Sequence, residues 1–452
     1  MCFVHRTINT CFYFVYKTII IYICIINKTI TEMNRDILRN IIADNRTEVS
    51  GFKVVPRHFV FEESGNYVFV GIRRAGKSFL LYQRIQQLLK QGVSLDEILY
   101  INFEDERLIG MTSNDLNLIL EVHLEMYGKK PVLFLDEIQV IEGWEKFARR
   151  MADIKNRVYI TGSNAKMLSQ EIQTTLGGRY LTIDVYPYSF KEFLEANEVI
   201  VNENTLSSTV DKAEVMRLFN DYYYFGGLPE VVKYNSKRDY LSSVFQKIYL
   251  GDIASRYSIN NTFALRVMFK KLAESIKQSI SFTRISNILS STGVKVGTQT
   301  IINFIEYAKE AWLISSIQNI AGKLAEKESN PKYYFTDNGI LNLFLIDGET
   351  SLLENLVAIT LLRKYGRNDA VFFYNKGVEV DFYIPEDSIA IQACYDLNNI
   401  DGTFDREVDA LLKFSKVFDC KKLMIITRDY EQQLKIENTT IDIVPVWKWL
   451  LT

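Results

Sequence analysis

Residues 67–83, YVFVGIRRAGKSFLLYQ, decide how this chain folds. Tyr67–Val70 is a short apolar, β-prone run. Gly71-x-x-x-x-Gly76-Lys77-Ser78 follows it, and a helical pattern begins at once. The glycines let the backbone wrap a chain of phosphates, and successive N–H groups at a helix N-terminus point at negative charge. Lys77 supplies a point charge to the outer phosphates and Ser78 a hydroxyl for Mg²⁺. Such a string also arises by chance on surface turns, so its weight depends on a second element.

That element is PVLFLDEIQ, residues 131–139, an apolar strand ending in Asp136-Glu137. An aspartate at such a strand tip can hold Mg²⁺, and the next glutamate can orient or deprotonate an attacking water. A small-molecule kinase does not need that glutamate, whereas a hydrolysing NTPase does. The strand ILYINFE lies in sequence between the two motifs, as expected where an extra strand separates them in the sheet. VYITGSNA ends in Ser163 and Asn164. Asn164 is a candidate for sensing the γ-phosphate or holding the water; Ser163 serves equally well as cap of a helix starting near Lys166. Arg179, in LGGRY, is a candidate arginine finger reaching a neighbouring subunit, against the alternative of a surface arginine in a turn. Gly71, Arg73, Arg74, Ala75, Gly76, Lys77, Ser78 and Phe79 form the candidate nucleotide-binding set, with Ser78 and Asp136 as metal ligands and Glu137, Arg179 and Asn164 as candidate catalytic residues. The sequence does not decide whether Arg73 and Arg74 face phosphate or the domain behind the loop.

Composition sets the remaining bounds. A chain of 452 residues, 48% hydrophobic and 24% charged, holds several domains with well-packed cores. The net charge of −2 offers no whole-chain attraction to nucleic acid. Five cysteines without C-x-x-C spacing and three histidines argue against zinc and fit a reducing cytoplasm. Residues 11–26, CFYFVYKTIIIYICII, are apolar but interrupted by Lys17, and fall short of the roughly 20 residues of a comfortable membrane span. They read as an extension upstream of Met33 outside the fold, in preference to a signal anchor or an apolar arm; a membrane is not the expected partner.

GIRRAGKS, FLDEIQ, ITGSNAKML, LGGRY, YPYSFKEF and FGGLPEVV occur in this order. Together they resemble the archaeal-type AAA+ ATPases that carry a C-terminal domain of unknown function, over roughly residues 36–452. The resemblance implies an α/β fold: a P-loop AAA+ parallel sheet with a helical lid, then a winged helix and a small restriction-endonuclease-like α/β domain. The expected divisions are 1–33 extension, 34–195 core, 196–280 lid, 281–338 winged helix and 339–452 degenerate endonuclease-like domain. It implies ATP and Mg²⁺ as ligands and an ATP-hydrolysing switch or motor without a settled substrate. A homo-oligomer is expected through Arg179, and a DNA or protein partner through the last two domains.

Two details temper the nucleic-acid readings. The second helix of the winged-helix pattern, TIINFIEYAKEA, offers Glu306 and Lys309, with Lys323, Lys327 and Lys332 in or beside the wing. That is poor groove chemistry, and packing or protein contact is the favoured role. In the tail, Glu354, Glu379 and Asp381 suit a metal-dependent nuclease, but Gln392 and Cys394 stand where Glu and Lys would be expected. An amide lacks the charge a hard cation prefers, and a thiol supplies no cation to a developing phosphorane. Nuclease activity is therefore not expected.

Overall fold

Asn34 caps the first helix among the described residues, α1 (Arg35–Gly51), its side chain accepting from the Asp36 N–H. Leu38, Ile41, Ile42 and Val49 give the helix a buried face. The computed structural model describes residues 33–164, 167, 170–202, 208–293, 295–367, 369–397 and 402–452. The apolar stretch 11–26 and the helix start near Lys166 lie outside the described residues. Two compact units emerge. One holds the described residues through Phe69, Ser78–Gly162, and those from Met167 to Thr182; the other holds Val70–Lys77, Ser163, Asn164 and the described residues from Ile183.

The first unit alternates strand and helix: β1 (Tyr67–Val70), α2 (Lys77–Lys90), β2 (Ile98–Asn102), α3 (Leu116–Tyr127), β3 (Val132–Asp136), α4 (Trp144–Asp153), β4 (Val158–Gly162), α5 (Gln170–Leu176) and β5 (Leu181–Asp184). The sheet runs β2-β3-β4-β1-β5. β3 pairs parallel with both neighbours, Leu133 standing opposite Leu99 on one side and Val158 on the other. β1, β3 and β4 are buried along their whole length, as parallel strands covered on both faces must be. β4 stands between the loop strand and the acidic strand, the arrangement expected where an extra strand separates the two motifs. Each strand tip then presents its last residues at the same edge of the sheet.

The second unit begins with helices: α6 (Phe190–Ala196), α7 (Thr209–Phe225), a 3₁₀ turn (Pro229–Lys233), α8 (Lys237–Gln246) running into a π-helix (Lys247–Ser255), α9 (Thr262–Glu274), α10 (Phe282–Ser291) and α11 (Thr298–Glu310). Then come β6 (Ile314–Asn319), α12 (Leu324–Ser329), β7 (Lys332–Phe335), α13 (Asn338–Asn342), α14 (Glu349–Tyr365), β8 (Phe372–Asn375), β9 (Glu379–Ile384), β10 (Ile389–Ala393), α15 (Thr403–Ser415), β11 (Lys422–Thr427), β12 (Gln432–Ile436), β13 (Thr439–Pro445) and α16 (Val446–Trp449). All eight strands join one mixed sheet, β12-β13-β11-β10-β9-β8-β6-β7. The β6–β7 hairpin, which the sequence assigns to a wing, thus continues the sheet of the tail, through parallel pairing of Gln318 with Phe372 and Asn319 with Phe373.

The FGGLPEVV motif meets a later stretch, FTDNGI (residues 335–340), inside this unit. Buried Asp337 accepts from the N–H groups of Gly227, Gly339 and Ile340, tying FGGLPE to FTDNGI. Burial pushes its carboxyl up to about 6 against those three donors. Asn338 donates to Tyr223 and Leu352 carbonyls beside it. These residues join helices; their hydrogen bonds go to backbone groups and, from Asn355 to the Asn338 oxygen, to one side chain. Among the described residues no helix is long and apolar enough to cross a membrane.

Candidate functional site

The loop from Gly71 to Lys77 takes its form from close approach. A Cβ on Gly71 would stand 2.1 Å from the Val185 carbonyl oxygen, and Val185 N donates to Val70 O at 2.7 Å. Gly76 has φ 92°, a conformation that a side chain disfavours. Ala75 is fully buried, and Lys77 is 4% exposed. The Lys77 ammonium donates to the Gly71 and Ile72 carbonyls at 3.1 and 3.3 Å, curled against the loop that it belongs to. Arg73 and Arg74 face the helices behind the loop: Arg73 forks onto Asp252, and Arg74 reaches Glu230.

In the first unit, Ser78 follows the loop and lies near enough to the acidic strand tip for its hydroxyl to help hold the Asp136 carboxyl down. Asp136 is 2% exposed and also receives the Thr161 hydroxyl and, at 2.7 Å, the Tyr100 hydroxyl, which in turn bonds Tyr82 at 3.0 Å. Burial pushes the Asp136 carboxyl above its usual value and Glu137 adds to this, while the bonds from Thr161, Tyr100 and Ser78 oppose it. Thr161 acts twice, since its oxygen also accepts the Glu137 N–H at 2.9 Å. Glu137 itself sits at φ 52°, left-handed for a residue with a side chain, and its carboxylate receives Gln139. Such backbone strain concentrates at functional positions. Tyr100 carries no motif, and Thr161 sits in ITGSNAKML at a position to which the sequence assigns no role; they come from β2 and β4, the strands flanking β3. Phe79 is 38% exposed and meets Phe52 and Tyr82 edge-on, at 6.1 and 5.4 Å between ring centres.

The remaining candidates are placed less simply. Buried Asn164 hydrogen-bonds Tyr257, whose hydroxyl also reaches Glu310 and whose ring stacks on Tyr307 at 3.7 Å. Arg179 lies in an ion pair with Asp153 of its own chain, Nε to Oδ1 2.5 Å, both side chains partly exposed.

The tail cluster differs from the sequence expectation in its centre. Lys332, placed by sequence beside the wing, is fully buried and contacts three carboxylates: Glu354 at 3.1 Å, Asp381 at 3.1 Å and Glu379 at 3.0 Å. Tyr334, two residues on and on the same strand face, donates to Glu354 at 2.9 Å. Burial works against the Lys332 charge, but Glu354, Tyr334, Asp381 and Glu379 outweigh it and hold its pKa well above the usual lysine value. Burial pushes Glu354 up to about 7, against the Lys332 charge. Gln392 bridges strands: its oxygen accepts the Asp381 N–H, and its nitrogen donates to the Glu379 carbonyl and to Glu407. Glu407, on α15, is a fourth carboxylate that no spacing announced. Cys394 packs in the tail core with Val408 and Leu411, and burial pushes its thiol up to about 12. It behaves as a small hydrophobe. Among the described residues no group of three or more His, Cys, Asp or Glu side chains is placed to hold a metal ion.

A family model described as an AAA domain matches residues 64–194, and a domain of unknown function matches residues 216–368. An uncharacterized protein of Methanocaldococcus jannaschii is 36% identical over 432 residues, covering 92% of this chain and 95% of that protein. An uncharacterized protein of Haemophilus influenzae is 33% identical over 395 residues, covering 85% of this chain and 94% of that one. Among solved structures, the Walker-type ATPase of Pyrococcus abyssi is 14% identical with a TM-score of 0.36, covering 70% of this chain and 96% of that one. AMPPCP-bound DnaA of Aquifex aeolicus is 14% identical with a TM-score of 0.23, covering 56% of this chain and 90% of that one.

Proposed function

We propose a function from a plain premise: the chain belongs to the family of archaeal-type AAA+ ATPases with a C-terminal domain of unknown function. On our reading it binds ATP with Mg²⁺ and hydrolyses it as a molecular switch or motor. The supporting observation is the acidic pair at the tip of β3, where the Thr161 hydroxyl bonds Asp136 and accepts the Glu137 N–H. Hydroxyl and carboxylate oxygens suit a hard cation, so Ser78 and Asp136 fit Mg²⁺. When bound, that ion neutralises phosphate charge. Lys77 and the N–H groups of Gly71–Ser78 hold the phosphates. Glu137 takes a proton from the attacking water or fixes its direction. Asn164 senses the outer phosphate, and Arg179 serves a neighbouring copy after releasing Asp153. Within the tail the winged-helix and endonuclease-like readings remain our assignments, as does a cytoplasmic location.

The test is ATP turnover by the purified protein with duplex DNA, single strands and no addition. Turnover that ignores DNA favours a switch or motor acting on another partner; strong stimulation favours the second reading, an ATP-gated nucleic-acid-binding regulator. Gln299 and Asn303, exposed on α11, give that second reading some groove-facing chemistry, offset by Glu306 paired to Lys309. Glu137→Gln should bind ATP and lose about 100-fold or more in turnover. Turnover at the unaltered rate would remove Glu137 from the catalytic role.

A further inference from the structure

One stretch of the second unit grips the phosphate loop from behind at three points. Pro229 Cγ lies 3.5 Å from the place where a side chain on Gly76 would start. Glu230, next in the chain, accepts Arg74 at 3.2 Å and the Tyr240 hydroxyl at 3.0 Å through the same oxygen. Asp252, 5% exposed, receives Arg73 through two bonds, Nε to Oδ2 at 2.9 Å and Nη2 to Oδ1 at 3.0 Å. Arg256, one turn on, stands 4.0 Å from the same carboxylate. A guanidinium held by both carboxylate oxygens is fixed in orientation as well as distance. Asp252 rides on the π-helix Lys247–Ser255, a rare register that changes where a side chain leaves the helix and that recurs at functional sites. Neither carboxylate belongs to a nucleotide motif.

We propose that Asp252, seconded by Glu230, is a positioning residue for nucleotide binding. Acting through Arg73 and Arg74, the two carboxylates hold Gly71–Lys77 in the form that receives a triphosphate. The proposal rests on the nucleotide reading above. A glycine-bearing loop has much freedom to lose when its N–H groups converge on phosphate. Tethering two successive side chains to buried or half-buried carboxylates removes that freedom before the ligand arrives, so less is lost on binding. The tether works on substrate and transition state alike, so it should act on affinity more than on the chemical step. The FGGLPE motif acquires a role on this view: its Pro-Glu end belongs to the tether, while its glycines answer to Asp337.

The test is a double-mutant cycle on the full chain with a fluorescent ATP analogue, together with steady-state turnover. Arg73→Gln and Asp252→Asn should each weaken analogue binding and raise KM by about tenfold, with kcat falling less than about threefold. The double variant should lose no more than either single one, because both remove the same tether. The swap of Arg73→Asp with Asp252→Arg should recover most of the affinity that each half loses alone. Should Asp252→Asn fail to fold, Arg73→Gln and the swap still decide the matter. Equal affinity in Arg73→Gln and the natural protein, or independent additive losses in the cycle, would overturn the positioning role. No analogue binding by the natural protein would instead overturn the nucleotide reading, and the positioning role with it.

Discussion

Two buried lysines each stand in a polar cluster among the described residues, and the bonds described for them differ in kind. Lys77 bonds to the carbonyl oxygens of Gly71 and Ile72. Lys332 bonds to the carboxylates of Glu354, Asp381 and Glu379. A hydrogen bond from an ammonium to a neutral carbonyl is worth about 1.5–3 kcal/mol net and can be exchanged for one to a phosphate oxygen. A buried ion pair is not exchanged so cheaply, since losing one partner strands the other at roughly 3–5 kcal/mol. The first arrangement can hand its cation to a ligand; the second has already consumed it. On the proposed reading, what separates a binding site from a scaffold is the exchangeability of the lysine's partners, more than the residue types present.

The largest effect should come from breaking the second cluster. Lys332→Ala leaves three carboxylates facing one another in the tail and should lower stability by about 3–5 kcal/mol, read by denaturant unfolding. Stability within 1 kcal/mol of the natural protein would show that the cluster is not held by its ammonium. Next, Lys77→Ala should weaken ATP-analogue binding by about 100-fold while lowering stability less than Lys332→Ala does, because the Gly71 and Ile72 carbonyls it leaves carry no net charge. A comparable fall in stability would erase the contrast between the two lysines.

A smaller effect concerns Arg179. Freed from Asp153 by Arg179→Ala, the protein should bind ATP normally and hydrolyse it about tenfold or more slowly. Excess Glu137→Gln protein, which keeps its own Arg179, should restore part of the rate. Turnover independent of protein concentration would rule out the finger. The smallest effect is a pH slope. Glu354 has its folded pKa raised to about 7, so it contributes stability below its unfolded value that is lost as pH rises towards 7. Unfolding free energy should decline over that window by up to about 1.4 kcal/mol per pH unit, and Glu354→Gln should flatten the decline. An unchanged slope in that variant would assign the titration elsewhere, with Asp337, raised to about 6, as the next group to test.

The parts legible in the sequence are those written contiguously. Gly71 to Ser78 is a backbone form, and a backbone form is encoded by adjacent residues. Asp136 and Glu137 end an apolar run, and strand tips are visible as such. Partners brought by the sheet are not. Thr161 reaches Asp136 from 25 residues away, Lys332 reaches Asp381 from 49, and Arg73 meets Asp252 across 179. No spacing rule spans those distances. Lys332 did leave a trace, since it alternates with Tyr334 on one face of a strand whose other residues are apolar. Read as one face, the pair points inward; read as one more lysine near a wing, it points to solvent. Gln392 and Cys394 were visible as departures, but their present roles, a bridge to Glu407 and a core thiol, depend on α15 folding back over β10.

The eight-stranded sheet is one object by topology and need not be one by cooperativity. Its β6–β8 junction rests on two register pairs, helped by Ile320 N bonding Phe373 O and by the Asn319 side chain bridging both Asn375 backbone groups. On the far side, β10, β11 and β13 are zipped along five-residue registers. Amide hydrogens report the free energy of the smallest opening that frees them. Lys332 adds a second tie, from β7 to Glu379 and Asp381 of β9. In Lys332→Ala the β6–β7 hairpin should therefore exchange in a step of its own with β9–β11 still closed, and a boundary absent from the map of strands would reappear on the timescale of exchange.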